Sequence, residues 1–288
     1  MRAIYKKEIK SYATSMSGPI AVAVMLLVVG YMFRYYNLSY GTASLVYTVF
    51  NSNLIFYIVV PVLTMRTFTD ERRQKTDQLL LAAPVSLIDI VLGKYFALIT
   101  VFAVPILVMC ILPLILIPLG GGEMMGTAYL SILVFFAMGC AYLSCGMFIS
   151  SLTDNLIISA IGGILFVFAT MIIHNAYSMV SASNFASLIF FIVLAVLLGI
   201  LVYVMTKFYW ASLGVILVCA LAAFAAFMVS PDWFGGKSEK ILSIFDFFSH
   251  FESFAYGSFS IPDLLYFVSV SVAGVVLTIA RIQKRRWS

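Results

Sequence analysis

Apolar stretches about as long as a bilayer is thick recur along the whole chain of 288 residues. A helix needs ~20 mostly apolar residues to cross the hydrocarbon core of a bilayer. Hydrophobic residues make up 63% of the chain and charged residues 10%, whereas a soluble domain is about half apolar and about a quarter charged. The chain is therefore predicted to be an all-α polytopic membrane protein. Eight spans are predicted, at 18–33, 53–68, 94–119, 127–150, 156–173, 187–205, 211–229 and 263–282.

The cations fall on one side of these spans. With eight spans threaded in order, 14 of the 17 Lys and Arg residues lie on the side that holds both termini, and only Arg34, Lys237 and Lys240 lie opposite. Lys and Arg concentrate in cytoplasmic segments of membrane proteins. Both termini are therefore predicted to be cytoplasmic. The chain is predicted to be a multi-pass protein of the plasma membrane, which in bacteria is the inner membrane.

The sequence places no ionisable side chain in the middle of any predicted span, although ion-coupled transporters usually carry such groups at mid-membrane. His174 and His250 are predicted to lie in separate outer loops, solvated or at the interface. The sequence contains no HExxH or GxSxG motif. The stretch Gly235-Gly236-Lys237-Ser238 ends like a phosphate-binding loop, but Pro231 stands where the first glycine belongs. The sequence thus predicts no catalytic residue, no metal site and no cofactor in this chain.

A short cytoplasmic helix is predicted after the second span. Thr69 or Asp70 suits a helix N-cap, and residues 71–82 are good helix formers that change from polar to apolar. Pro84 ends this helix because proline disfavours helical backbone at the residue before it. The pattern predicts either an interfacial anchor or a docking element for a cytoplasmic partner.

Local signals predict two helix starts and one close helix contact. Ser86 with Asp89 forms a capping-box-like start for the third span, and Asn155 suits the N-cap of the fifth. Gly139 and Gly146 share one face of the fourth span and permit close approach of a neighbouring helix.

Four stretches around the cytoplasmic helix form one pattern. They are Glu71-Arg72-Arg73, Gln78-Leu79-Leu80-Leu81, Ala83-Pro84-Val85-Ser86 and Ile90-Val91-Leu92-Gly93-Lys94. This pattern resembles the cytoplasmic signature of type-2 ABC exporter permeases. It departs from that signature at residues 74–78, where the family usually has Ser-Gly-Thr-Leu-Glu, and at Ala83, where it has serine. The basic amphipathic helix at 1–15 is also similar to that family. The segment 243–287, which ends in Arg285-Arg286-Trp287, is similar to the end of permeases of the gliding-motility and multidrug type.

The resemblance implies a type-2 ABC exporter fold in a single transmembrane domain, 1–288, with a six-helix core and two extra spans. It implies that the chain is not an enzyme and works as a dimer with a second permease subunit, identical or related. A cytoplasmic ABC ATPase dimer would hold ATP and Mg, membrane lipid would be a further partner, and nucleic acid would not. The region 69–93 would couple the two proteins. The ATPase-coupling residues would be Asp70, Glu71, Arg72, Arg73, Lys75, Leu79, Leu80, Leu81 and Pro84.

The outer loop, 230–262, is predicted to hold an aromatic helix. Phe247, Phe251 and Phe254 follow the i, i+4, i+7 spacing of one helical face, and Phe248 lies beside them. Aromatic residues favour the membrane interface, so this helix is predicted to lie flat on the outer leaflet or to dip into it. The family resemblance implies that the same helix is re-entrant and forms an outer gate.

Two other classes of protein stay open. One is an ion-coupled secondary transporter or channel, against which the missing mid-membrane charges weigh. The other is a scaffold or sensor subunit that transports nothing. For a transporter, an uncharged and aromatic-rich pathway favours an amphipathic or lipid-like cargo or a peptide.

Overall fold

The apolar runs fold into helices, which satisfy their backbone hydrogen bonds internally, as a lipid environment requires. The computed structural model describes residues 1–76, 85–120, 125–182, 246–255 and 260–286, with single positions between 188 and 244. All regular secondary structure within these residues is helical. Six helical stretches among them are long and apolar enough to cross a membrane. The prediction of an all-α polytopic membrane protein is confirmed at this level.

The six stretches coincide with six of the predicted spans. They are Ser17–Ser39, Val46–Arg73, Leu87–Leu119, Met125–Ser150, Leu156–Asn175 and Ile261–Arg285. The first three begin earlier or end later than predicted because helical backbone continues through polar residues such as Asn37 and Asn53. The predicted spans at 187–205 and 211–229 lie outside the described residues, apart from single positions.

The helices that the structure describes are named here in chain order. They are α1 (Arg2–Thr14), α2 (Ser17–Phe33), α3 (Val46–Asn51), α4 (Phe56–Thr64), α5 (Arg66–Arg73), α6 (Leu87–Met109), α7 (Leu112–Leu116), α8 (Met125–Ser150), α9 (Leu156–Ala182), α10 (Phe247–Ala255) and α11 (Ile261–Arg286). A π-helical turn, Arg34–Ser39, continues α2, and a 3-10 turn, Ser52–Ile55, joins α3 to α4.

The chain divides into two compact units. The first comprises residues 1–168 and 250–288, and the second comprises residues 169–249. The first unit holds the helices from α1 to α8, the part of α9 up to residue 168, residues 250–255 of α10, and α11. In the second unit the structure describes the C-terminal part of α9 and residues 246–249.

Helix α8 is the central helix of the first unit and packs against α3, α4, α5, α6 and α11. Glycines on α8 make this packing possible. A methyl group on Gly139 would collide with the Phe102 ring, and one on Gly146 would lie 2.6 Å from the Thr64 hydroxyl. The predicted close approach at these two glycines is confirmed, and it joins helices of one chain.

Both predicted helix starts are confirmed. The Ser86 hydroxyl oxygen accepts from the Asp89 backbone N–H at 3.1 Å, and the hydroxyl donates to the Asp89 carboxylate at 2.8 Å. The Asn155 side chain accepts from the backbone N–H of Ile157 at 2.9 Å. Each cap satisfies donors that the first helical turn leaves without a partner.

Candidate functional site

Lys94 is the centre of a buried charge network at one end of the first unit. Its side chain is 1% exposed, and its Nζ lies 2.9 Å from Glu8 Oε1 and 3.0 Å from Glu71 Oε1. The same ammonium donates to the backbone carbonyl of Thr67 at 2.8 Å and lies 5.1 Å from the centre of the Phe68 ring. The network therefore joins α1, α5 and α6 through one side chain.

The network is electrically balanced. The Lys7 ammonium lies 3.5 Å from Glu71 Oε1, so two ammonium groups face the two carboxylates of Glu8 and Glu71. An intact buried ion pair changes the free energy of unfolding little. Removing one partner leaves an uncompensated buried charge, which lowers the free energy of unfolding by ~3–5 kcal/mol. These contacts fix the relative position of the three helices more than they add stability.

Small and aromatic residues bring α1 into position for this contact. A methyl group on Gly93 would lie 3.2 Å from the Ile4 side chain, so the glycine lets α1 lie close against α6. The buried Tyr12 hydroxyl donates to the Leu63 carbonyl at 2.9 Å, and it lies 3.3 Å from the Thr67 hydroxyl. Burial raises the pKa of Tyr12, so the phenol keeps its proton and remains a donor.

A second charge cluster joins α5 to two other elements. Arg72 Nη1 lies 3.3 Å from Asp154 Oδ1, and Arg285 Nη1 lies 3.4 Å from the same oxygen. The Arg72 side chain is 6% exposed and the Asp154 side chain 67%. Because Asp154 follows α8 and Arg285 belongs to α11, the ends of α5, α8 and α11 lie together. Sequence threading also predicts them on one side.

The five predicted coupling residues that the structure describes lie at the end of α5. Glu71 and Arg72 belong to the two clusters above, and Asp70 accepts from Arg66 Nε at 2.7 Å. Arg73 ends the helix, and Lys75 has a left-handed backbone with a φ of 56°. The other four predicted coupling residues, Leu79, Leu80, Leu81 and Pro84, lie outside the described residues.

The predicted start of the cytoplasmic helix is wrong. Helix α5 begins at Arg66 and follows α4 with only Met65 between them. The Thr69 hydroxyl donates to the Met65 carbonyl in the preceding turn, and Asp70 pairs with Arg66, so neither residue caps a helix start. Residues 66–73 therefore continue the second span, and the turn after Arg73 carries the chain towards residue 77.

A polar cavity of about 270 Å³ lies beside the Lys94 network. Its charged lining comes from α1, α5 and α6, and it balances three cations with three carboxylates. The charged side chains are Lys7, Glu8, Arg66, Asp70, Glu71 and Lys94. The predicted coupling segment thus begins at a polar cavity whose walls are held by ion pairs.

The predicted aromatic helix is present as α10, but its aromatic face packs against protein. Phe251 and Phe254 are fully buried and Phe247 is 4% exposed, while Phe248 is half-buried. The Phe251 ring stacks on Phe50 with 5.8 Å between the ring centres, and its edge meets Phe135 of α8 at 6.5 Å. Phe135 lies well inside the fourth span. Phe251 therefore contacts helices of the bundle, and the position of α10 relative to the outer leaflet stays a prediction.

Both histidines lie in helices and face aspartates, which the sequence did not predict. In the first unit, His250 Nδ1 lies 2.6 Å from Asp263 Oδ1, and its ring stacks on Tyr266 at 4.0 Å. In the second unit, His174 Nδ1 lies 3.0 Å from Asp246 Oδ2. The fully buried Asp246 also accepts from two backbone N–H groups at the start of α10. Within the described residues, no group of three His, Cys, Asp or Glu side chains could hold a metal ion.

A sequence signal for the Lys94 network exists but is incomplete. Glu8 is the one acidic residue of α1 and lies three residues after Tyr5 and four before Tyr12, on the face that packs against the bundle. An acid on the buried face of a basic helix requires a cationic partner. The sequence does not say which cation, because Lys94 lies 86 positions away.

No family model, no curated protein and no solved structure matches this chain. The resemblance to type-2 ABC exporter permeases therefore stays a prediction.

Proposed function

We propose that the chain is the membrane-spanning permease subunit of an ATP-driven ABC exporter. It forms the translocation path as a dimer, and separate cytoplasmic ATPase subunits supply ATP, Mg and hydrolysis. In this proposal the charged end of the bundle faces the cytoplasm, the fold is the six-helix core with two extra spans, and the membrane is the plasma membrane. The chain itself catalyses no reaction.

The observation that carries the proposal is the Lys94 network. An ATPase that pulls on residues 70–85 must move the membrane helices. This requires a stiff connection between residues 70–85 and those helices. Glu71 supplies that connection because it shares the Lys94 ammonium with Glu8, so a displacement of α5 acts on α1 and α6 together. Rigid-body movement of packed helices is a common way to transmit such a change.

The second cluster supports the same mechanism. Arg72, one residue further along α5, pairs with Asp154, and Asp154 also pairs with Arg285 of α11. A movement at the end of α5 is therefore passed to the α8–α9 loop and to the last span. Together the two clusters join the second, third and last spans to α1 and to the α8–α9 loop.

The competing class is an ion-coupled secondary transporter. Such transporters usually bind their coupling ion with ionisable groups near the middle of the membrane. The buried Lys94 lies only two turns inside α6 and is already paired with Glu8 and Glu71. The geometry therefore favours a mechanical link over an ion site.

The test is proximity crosslinking at the proposed coupling segment. A photoreactive amino acid replaces Thr76 in the full chain, expressed in its own cells, and a matched variant carries it at Thr42, after the first span. The proposal expects Thr76 to crosslink to a polypeptide that an ATP photoaffinity probe also labels, and Thr42 not to do so. Crosslinks from Thr76 to lipid alone would contradict the proposal and leave the two classes that need no ATPase, the secondary transporter and the scaffold.

A further inference from the structure

An apolar groove runs between α6, α8 and α11 on the surface of the first unit. The cavity in it has a volume of about 500 Å³. Two hydroxyl groups line it, and both are used within the protein. Tyr95 donates to the Cys140 carbonyl at 3.1 Å, and Ser271 donates to the Phe267 carbonyl at 2.8 Å. The groove thus presents mainly hydrocarbon, which suits an apolar occupant such as an acyl chain.

The groove is long enough to hold an acyl chain. It follows α11 from Leu264 to Val276, which is ~18 Å of helix at ~1.5 Å per residue. Because the last span is predicted at 263–282, the Leu264 end lies towards the outer side and the Val276 end towards the cytoplasmic side. An extended acyl chain therefore fits along the groove from its Val276 end.

A second cavity adjoins the groove at Phe96. Phe96 lines both, and the second cavity, of about 430 Å³, is also lined by Arg2, Tyr5 and Thr100. Phe96 lies two residues after Lys94, whose network marks the level at which charged side chains begin. The junction therefore lies where the acyl region of a lipid gives way to its headgroup.

Cations form a row at this junction. Arg2, Lys6 and Lys10 are spaced i, i+4, i+8, so they share one side of α1, and all three are exposed. Within the described part of the chain, no carboxylate lies within ion-pair distance of them. The acidic residue of the same helix, Glu8, points inwards to Lys94. The outward side of α1 is therefore complementary to an anion.

We propose that this surface is a specific site for one anionic glycerophospholipid. Its phosphate lies against Arg2, the nearest cation to the junction, and one acyl chain fills the α6–α8–α11 groove past Phe96. The lipid thereby links α1 to α6 and α11 from the lipid side, while the Lys94 network links α1 to α5 and α6 from the inside. This site is independent of whether the chain is an exporter subunit.

The test is lipid retention by the purified full-length chain, measured by native mass spectrometry. Phosphatidylglycerol and phosphatidylcholine with identical acyl chains are supplied together. One phosphatidylglycerol is expected to stay bound preferentially. Arg2→Gln should lower its retention at least fivefold, whereas Lys10→Gln, the same charge loss two turns further along the row, should lower it less than twofold.

A second pair of variants tests the groove. Val272→Trp fills it and should lower retention of both lipids, whereas Leu277→Trp, at an exposed position on α11 outside the groove, should not. An equal loss of phosphatidylglycerol retention in Arg2→Gln and Lys10→Gln would show that the cations attract the lipid without a specific site, and would overturn the headgroup site. Full retention in Val272→Trp would overturn the acyl site. Loss of a dimer in Val272→Trp would mean that a second copy covers the groove, which also overturns the proposal.

Discussion

Replacing Lys94 with methionine should damage the protein far more than the same replacement of Lys7, although both lysines pair with Glu71. The Lys94 side chain is 1% exposed and its partners Glu8 and Glu71 are 11% and 14% exposed. Lys94→Met keeps an unbranched side chain, one heavy atom shorter, but leaves two carboxylates in a buried site without their shared ammonium. The expected cost is ~3–5 kcal/mol of unfolding free energy.

Lys7→Met is the matched control. The Lys7 side chain is 66% exposed and lies 3.5 Å from Glu71, and an exposed pair of this kind contributes ~0–1 kcal/mol. A third variant, Glu8→Gln with Glu71→Gln and Lys94→Met, removes all three charges and should recover most of the loss, because neutral groups of similar shape replace the buried ions.

The assay is reversible unfolding of the purified chain in mixed detergent–SDS micelles, followed by far-ultraviolet circular dichroism. We expect the free energy of unfolding to be highest for wild type, slightly lower for Lys7→Met, lower again for the triple variant, and clearly lowest for Lys94→Met. Equal stabilities for Lys94→Met and Lys7→Met would refute the buried network. A triple variant no better than Lys94→Met would show that lost packing, and not the uncompensated charge, causes the damage.

Phe251→Ala should lower the free energy of unfolding by ~3–5 kcal/mol because it empties a fully buried site. Phe248→Ala, at a half-buried position on the same helix, should lower it less. Equal losses of unfolding free energy in the same assay would place α10 on lipid and not in the bundle. Cysteine in place of Thr76 should react with an impermeant maleimide only after cells are permeabilised, and cysteine in place of Ser238 should react in intact cells. Labelling of Ser238→Cys only after permeabilisation would remove one crossing from the predicted eight.

Features that depend on neighbouring residues along the chain were predictable. Ser86 caps α6 because its partner Asp89 is three residues away, and the fifth span begins at residue 156 because Asn155 and the apolar run after it are adjacent. Span length is also a local property. The second span was underestimated because its helix continues through Ser52 and Asn53, whose polarity gives no sign that the backbone stays helical.

Features that depend on distant partners were not predictable. Spacing alone gave the aromatic face of α10, but not that Phe50 and Phe135 cover it. The motif predicts the coupling residues Glu71 and Arg72, but their partners Lys94 and Asp154 come from another helix and a loop. Pairing across such distances follows from how the helices pack, and no single segment of sequence determines that packing.

The central claim is that residues 70–85 bind an ATPase and transmit its movement to the membrane helices. The direct test purifies this chain from its own membranes and measures ATP hydrolysis in the bound material. Wild type and Arg72→Ala should carry a vanadate-sensitive ATPase, since the Arg72 partner Asp154 is exposed and keeps Arg285. Leu80→Asp and Leu81→Asp should lose it at equal membrane abundance, because a leucine buried in a partner groove contributes ~2–5 kcal/mol. Full ATPase recovery with both leucine variants, or none with wild type, would contradict the claim.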